Sequence, residues 1–225
     1  MAAKIDKKEL LEPDKLQIFF LNVRTFVEKH RKRIYAGAGF LLLVILLAGG
    51  VYLYQIHYET SAGKIYNRVF EAAAKADPSS GNSAALKGYK DLINQYPRSN
   101  AAVTAYYRLG NLYFNQREFD AAIGAYQDFI KKSPPESDLI TLAYGGMGAC
   151  HEAKKDFTRA LESYEGALKS STASSFEAIN FINIARIYEA MNNPAKAVEF
   201  YRKALGKTTD PFMTLYLKRK ISILG

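Results

Sequence analysis

The chain has 225 residues, with 31 Lys or Arg against 22 Asp or Glu, a formal net charge of +9 and a hydrophobic share of 48%. That share excludes a disordered chain, because it is a shortage of apolar residues that leaves a segment unable to fold. The single cysteine, Cys150, excludes an internal disulfide and stands too far along to be an acylated lipoprotein cysteine, so it reads as a small buried residue in a helix.

Residues 1–33 form a tail whose Leu16, Phe19, Phe20, Val23, Phe26 and Val27 recur at helical spacing, with Arg24, Lys29 and Arg31 elsewhere around the turn. The pattern predicts an amphipathic basic helix, suited to an anionic cytoplasmic leaflet where each Lys or Arg contributes about 1 kcal/mol. Residues 34–54 follow without one charge. About 20 such residues cross a hydrocarbon core of about 30 Å, so a transmembrane helix is predicted over 34–56. Tyr35 marks one interface and Tyr52, Tyr54 and Tyr58 the other.

Flanking charge orients the span. Residues 1–33 carry nine Lys or Arg, whereas residues 55–76 carry only Lys64, Arg68 and Lys75, which predicts a cytoplasmic N-terminus and an outward-facing region 57–225. A cleaved signal peptide is the competing reading, given Ala48-Gly49-Gly50, but the leader and the apolar run are both long for one.

Beyond the span a five-residue pattern occurs four times, at Ala85 to Tyr89, Ala122 to Tyr126, Ala160 to Tyr164 and Ala197 to Tyr201. The spacings of 37, 38 and 37 residues are those of a stacked helical repeat. Thirteen residues before the last three alanines stand the pairs Leu109-Gly110, Met147-Gly148 and Ile184-Ala185, a large residue followed by a small one, marking a first helix per repeat. Tyr106, Tyr144 and Phe181 precede these pairs, and Tyr113, His151 and Tyr188 follow, at helical spacing. Polar linkers at Gln116-Arg117-Glu118, Lys154-Lys155-Asp156 and Asn192-Asn193-Pro194 break the period between the helices of each pair.

These residues resemble the tetratricopeptide repeat, a helix-turn-helix unit, lengthened here by a few residues. Pro97 and Pro134 fall where that family's hairpins end, with Thr172 and Thr209 in the later repeats. The resemblance implies an all-α chain: one N-terminal transmembrane helix, then an α-solenoid of hairpins over 57–225 with a C-terminal capping helix. Its units are a degenerate first one at about 61–98, repeats at about 103–136, 141–174 and 178–209, and the cap at 210–224. In the first unit Ala72-Ala73 replaces the large-small pair, and a loop over residues 77–82 precedes the second helix. Asp210-Pro211 signals the start of the cap.

Catalytic chemistry is not expected. His30, His57 and His151 fall in three separate regions, so no triad or metal set emerges, and no cofactor is implied. Gly145-Gly146-Met147-Gly148 lies inside a predicted helix rather than between a strand and a helix, which removes the phosphate-loop reading. Gly148 is the packing position, while Gly145 and Gly146 receive no assignment. Over residues 55–225, 22 basic side chains are interspersed with 17 acidic ones, unlike the basic stripe of a nucleic-acid binder.

The resemblance implies a partner-binding groove lined by first helices, and its positions carry over to Tyr107, Asn111, Phe114, Asn115, Glu152, Ile182, Arg186 and Glu189, with Thr104, Leu142, Gly145, Ala149, Ala153, Ile179 and Ala190 between them. Only Asn111 and Arg186 match family members that clamp a terminal carboxylate, so no clamp is expected. The layout as a whole is similar to the YfgM-like family of single-pass bacterial inner-membrane proteins: the basic run before the span, the Tyr-rich exit, Ala62-Gly63-Lys64-Ile65-Tyr66 and the closing helix from Met213 to Leu224. That resemblance implies an inner-membrane protein with a periplasmic repeat domain. Its expected partners are translocon subunits, periplasmic chaperones or client chains. A scaffold subunit of another envelope assembly, such as a secretion or pilus machine, is the alternative.

Overall fold

The computed structural model describes residues 15–75, 78–170 and 173–225. Expectations placed on residues 1–14, Asp77 and Thr172 lie outside these. Among the described residues there is no strand; the order is α1 (Lys15–Lys75), α2 (Pro78–Gln95), α3 (Asn100–Asn115), α4 (Phe119–Lys132), α5 (Leu139–Ala153), α6 (Phe157–Lys169), a 3-10 turn at Ala173–Phe176, α7 (Glu177–Ala190), α8 (Pro194–Leu205) and α9 (Pro211–Leu224). The chain divides into two units, Met1–His57 and Tyr58–Gly225.

The first unit is helical from Lys15 on. Its apolar window has a mean hydropathy of 2.3 and none of it is buried, which makes this stretch long and apolar enough to cross a membrane. In the basic approach to that window, Arg24 Nε donates to Glu28 Oε1 at 2.9 Å, one helical turn on, and the Phe26 and His30 rings lie 4.7 Å apart. All six apolar residues of the amphipathic stripe are exposed.

The second unit is a row of helix pairs. α3 packs on α4, α5 on α6 and α7 on α8, while α9 closes against α8. Four of these helices, α3, α6, α8 and α9, start where a short polar side chain takes up a free helix N–H: Ser99 Oγ accepts from Ala102 N at 3.0 Å, Asp156 Oδ1 from Arg159 N at 3.2 Å, Asn193 Oδ1 from Lys196 N at 3.2 Å and Asp210 Oδ1 from Met213 N at 2.8 Å. Pro194 and Pro211 occupy the first turn, where a missing N–H costs nothing.

The corners of the three pairs are alike. Arg117, Lys155 and Asn192 hold φ of 62°, 60° and 54°. At the first corner Glu118 N donates to Tyr113 O at 2.9 Å and Arg117 N to Phe114 O at 3.0 Å, the two bonds of a Schellman stop. Asp156 to His151 and Asn193 to Tyr188 repeat the longer bond, each at 2.9 Å. The polar linkers read from the sequence are therefore left-handed corners, built on Arg and Lys in two cases out of three.

Packing inside the pairs follows the large-small pattern. Tyr126 of α4 lies so close to Gly110 that a Cβ there would meet its Cε1 at 2.5 Å, and Tyr164 of α6 meets Gly148 in the same way at 2.5 Å. Both tyrosines are 2% exposed, so the glycines are required by the close approach of the rings rather than by backbone conformation.

The first pair departs from the sequence expectation. The helical residues 58–75 pack with α2, but the buried small residue is Ala62, fully enclosed, whereas Ala72 is exposed. Ala62 precedes Ala85 by 23 residues, against 12 between Gly110 and Ala122, because the segment expected as a loop continues as helix from Pro78. Both helices are therefore longer and meet further from their connection. A further small residue sits on the second helix: a Cβ on Gly88 would come within 2.6 Å of Val69 Cγ2.

Candidate partner-binding face

The first helices of neighbouring pairs meet directly, α3 with α5, so their side chains share one face. Along it the eight nominated residues fall into three groups. Tyr107 is half-buried and packs on the second helix of its own pair, its ring 6.0 Å from Tyr126 and 5.6 Å from Phe129. Ile182 is 7% exposed and belongs to the core around Tyr201 and Leu217, so its side chain packs rather than faces outward. Phe114 and Asn115 line an open cavity of about 410 Å3 with Arg117, Phe119 and Ala153, where the Phe114 and Phe119 rings meet edge-on at 5.8 Å.

The polar members are engaged inside the chain. The Tyr126 hydroxyl donates to Asn111 Oδ1 at 2.6 Å, and the Tyr164 hydroxyl donates to Glu152 Oε2 at 3.1 Å. Burial pushes both hydroxyls well above the usual 10, with Cys150 adding to it at Tyr126 and Glu152 at Tyr164, so they are permanent donors. Arg186 pairs with Glu152 from the preceding repeat and also donates to Asn183 Oδ1 at 3.3 Å. Lys220 of α9 holds both oxygens of Glu189, at 2.8 and 2.9 Å. Lys154 pairs likewise with Asp120. Glu152, Arg186 and Glu189 are thus engaged with neighbouring repeats or the closing helix, links that sequence spacing inside one repeat does not reveal.

A second cavity, about 240 Å3, opens between α5 and α7. Leu142, Gly145 and Ala149 supply one side and Phe176 and Ile179 the other, with the Glu152–Arg186 pair at one end. Gly145 has nothing within 4 Å of where its Cβ would stand, so its missing side chain is part of the space. Gly146 has a different reason: a Cβ there would lie 2.6 Å from Cζ of Tyr126, in the preceding repeat.

Two buried groups on these helices were not singled out as polar sites by sequence. Asn180 is 3% exposed, lines the cavity, and its Nδ2 has no hydrogen-bond partner. Ala105 and Ala143 hold the same register in α3 and α5, both fully buried, so comparison between repeats was the signal that could have found it. His151 is 7% exposed with Nδ1 unpartnered, and burial draws its pKa below the usual 6.5. Cys150 is fully enclosed, its thiol pushed up to about 11 by burial and then by Asp120, which leaves it unreactive. Among the described residues no group of three His, Cys, Asp or Glu could hold a metal ion.

Two tetratricopeptide repeat models match the chain, at residues 104–135 and 138–206. No curated protein sequence matches it. Two crystal structures of MamA superpose with TM-scores of 0.53 and 0.56, each at 18% identity. They cover 65% and 72% of this chain, and 78% and 81% of their own. At that identity the likeness carries the fold alone, and the fold is that of a tetratricopeptide-type solenoid. The matched region consists of tetratricopeptide repeats, which makes it a protein–protein interaction module.

Proposed function

We propose that this tetratricopeptide-repeat chain is a membrane-anchored adaptor, whose repeats lie on the periplasmic side of a bacterial inner membrane and help hand over secreted proteins at the translocon. The observation that carries the reading is the face of the first helices. It offers two open cavities with Leu142, Ala149, Ile179, Phe114 and Phe119 on their walls, while Glu152, Arg186 and Glu189 are already paired across neighbouring elements. Such a face favours uncharged segments of another chain over a charged tail, because a charged ligand would have to displace ion pairs already formed.

The anchor is supported by the apolar window near the N-terminus and the orientation by the nine basic residues before it. An anchor beside a translocation channel raises the local concentration of emerging chains at the repeats, so moderate affinity suffices. Partners of this kind are translocon subunits, periplasmic chaperones and client chains.

Site-specific photocrosslinking in native membranes tests the reading, with a photoreactive amino acid in turn at positions 107, 114 and 179. Translocon subunits, chaperones or a variety of secreted chains are the expected adducts. One dominant subunit of a secretion or pilus machine would replace the reading with that of a fixed scaffold.

A further inference from the structure

The closing helix α9 is apolar on two sides. Leu217 is fully buried, with Met213, Ile221 and Leu224 packed against the same core, and that side closes the array. The opposite side carries Phe212, Leu215, Tyr216 and Ile223, which are 85%, 70%, 40% and 67% exposed. Beyond Tyr58, the other exposed large apolar side chains among the described residues are only Phe70, Ile179 and Met191, so the outward hydrophobic surface of the repeat unit is concentrated on α9. Phe212, Tyr216, Arg219 and Ile223 follow one another at intervals of four, three and four residues, which makes a single row along the helix with Leu215 beside it. A repeat array that ends in water needs a polar outer face on its last element, and this one presents the reverse.

The charge on that row narrows what covers it. Pro211 to Gly225 include Lys218, Arg219 and Lys220 and no acid. Lys220 is spent on Glu189, whereas Lys218 and Arg219 are exposed and form no ion pair among the described residues. A second copy laid on the row would bury Arg219 with no carboxylate from its own α9 to meet it, and interface cores are depleted in charge. At a lipid surface the apolar side chains enter below the headgroups while Lys218 and Arg219 reach along their stems to the phosphates. Tyr216 then stands at the depth that amphipathic rings favour. We infer that the outward face of α9 is a second, peripheral membrane contact, lying on an anionic phospholipid bilayer with Phe212, Leu215 and Ile223 inserted and Lys218 and Arg219 on the lipid phosphates. The inference rests on the anchor of the adaptor reading, which keeps a bilayer within reach of the repeats and so raises the effective concentration of lipid surface at α9.

The chain contains no Trp, so Phe212→Trp, at an exposed position, supplies a sole tryptophan whose emission reports on α9. The full chain is reconstituted into phosphatidylcholine vesicles holding about a quarter phosphatidylglycerol, with and without lipids brominated near the top of the acyl chain. A helix lying about 5–10 Å into the headgroup boundary sets the ring beside the bromines, so the emission is expected to shift to the blue and to fall by about half. Gln127→Trp, on the exposed side of α4, is expected to stay unquenched. Quenching should weaken in pure phosphatidylcholine, on adding salt, and when Lys218→Glu and Arg219→Glu are combined with Phe212→Trp, with the circular dichroism unchanged. Quenching indifferent to phosphatidylglycerol and to salt overturns the inference, as does equal quenching of Gln127→Trp. Blue-shifted emission that ignores bromine and reverts when the protein is diluted in lipid also overturns it, in favour of a second copy. Protein that parts from the vesicles on flotation at high salt removes the anchor reading and this inference with it, whereas unshifted, unquenched emission from protein that floats with them overturns this inference alone.

Discussion

The first helix pair of the repeat unit and the two that follow solve one problem in opposite ways. In the α3/α4 and α5/α6 pairs a glycine on the first helix receives a tyrosine from the second, Gly110 under Tyr126 and Gly148 under Tyr164. In the first pair the glycine is on the second helix and the knob is Val69 on the first. Tyr164 is 2% exposed and fixed by a hydrogen bond to Glu152, whereas Val69 is only half-buried. Close approach of two helices therefore needs one small residue opposite one large one, and does not dictate which helix supplies which. What differs is how much else depends on the knob: the tyrosines also fix a polar side chain on the candidate face, Asn111 and Glu152.

That contrast can be broken most sharply at its knobs. Tyr164→Ala should cost about 3–5 kcal/mol, read as a fall in urea midpoint for the full chain in detergent, while Val69→Ala should cost less than half as much. Equal losses would mean that the first pair is as tightly built as the others. Gly148→Ala is expected to destabilise by about 1–3 kcal/mol through overpacking against Tyr164. Gly124→Ala, with nothing within 4 Å of the new methyl group, should stabilise by about 0.5–1 kcal/mol through helix propensity; a shared sign would refute the contact. At the corners, Lys155→Gly relieves a left-handed lysine at φ 60° and should add about 1 kcal/mol, with Asn192→Gly adding less.

The smallest effect concerns pH. Burial lowers the His151 pKa, so the unfolded chain binds the proton first as pH falls. The contribution of neutral His151 is fully present above the usual 6.5 and is lost as pH drops from there towards the lowered folded value. His151→Tyr, matching Tyr113 and Tyr188 in the other repeats, should flatten denaturation midpoints measured between pH 7 and 5.5. An unchanged slope would place the acid sensitivity elsewhere.

The paired helices from α3 to α8 were legible because local pattern and packing agree: each Ala-x-x-x-Tyr run and each large-small pair sits within one hairpin, about a dozen residues apart. The first pair was not, because its helices are drawn out and Ala62 is the fully buried small residue while Ala73 is only partly buried against the same core; a repeat-spacing rule points to the wrong turn when both helices lengthen. On the candidate face the nominated positions were read correctly as first-helix residues, yet their engagements were invisible. Arg186 meets Glu152 and Lys220 meets Glu189 across 34 and 31 residues, and Gly146 answers to a ring in the preceding repeat. Such links arise from stacking, which no single repeat encodes. Asn180 lay open to inspection but could be understood only against the alanines it replaces.

The placement of Gly146 bears on how the array comes apart. Tyr126 is seated against glycines of two repeats at once, Gly110 in its own and Gly146 in the next, so the α4/α5 seam is keyed. At the α6/α7 seam the register of Gly146 is held by Asn183, and a cavity stands in place of the wedge. In a one-dimensional array, stability is a sum of repeat terms and neighbour couplings, and these two couplings are unequal. Fraying should then run from the C-terminal side as one block, α7 to α9 exchanging their amide hydrogens together before α3 to α5 do.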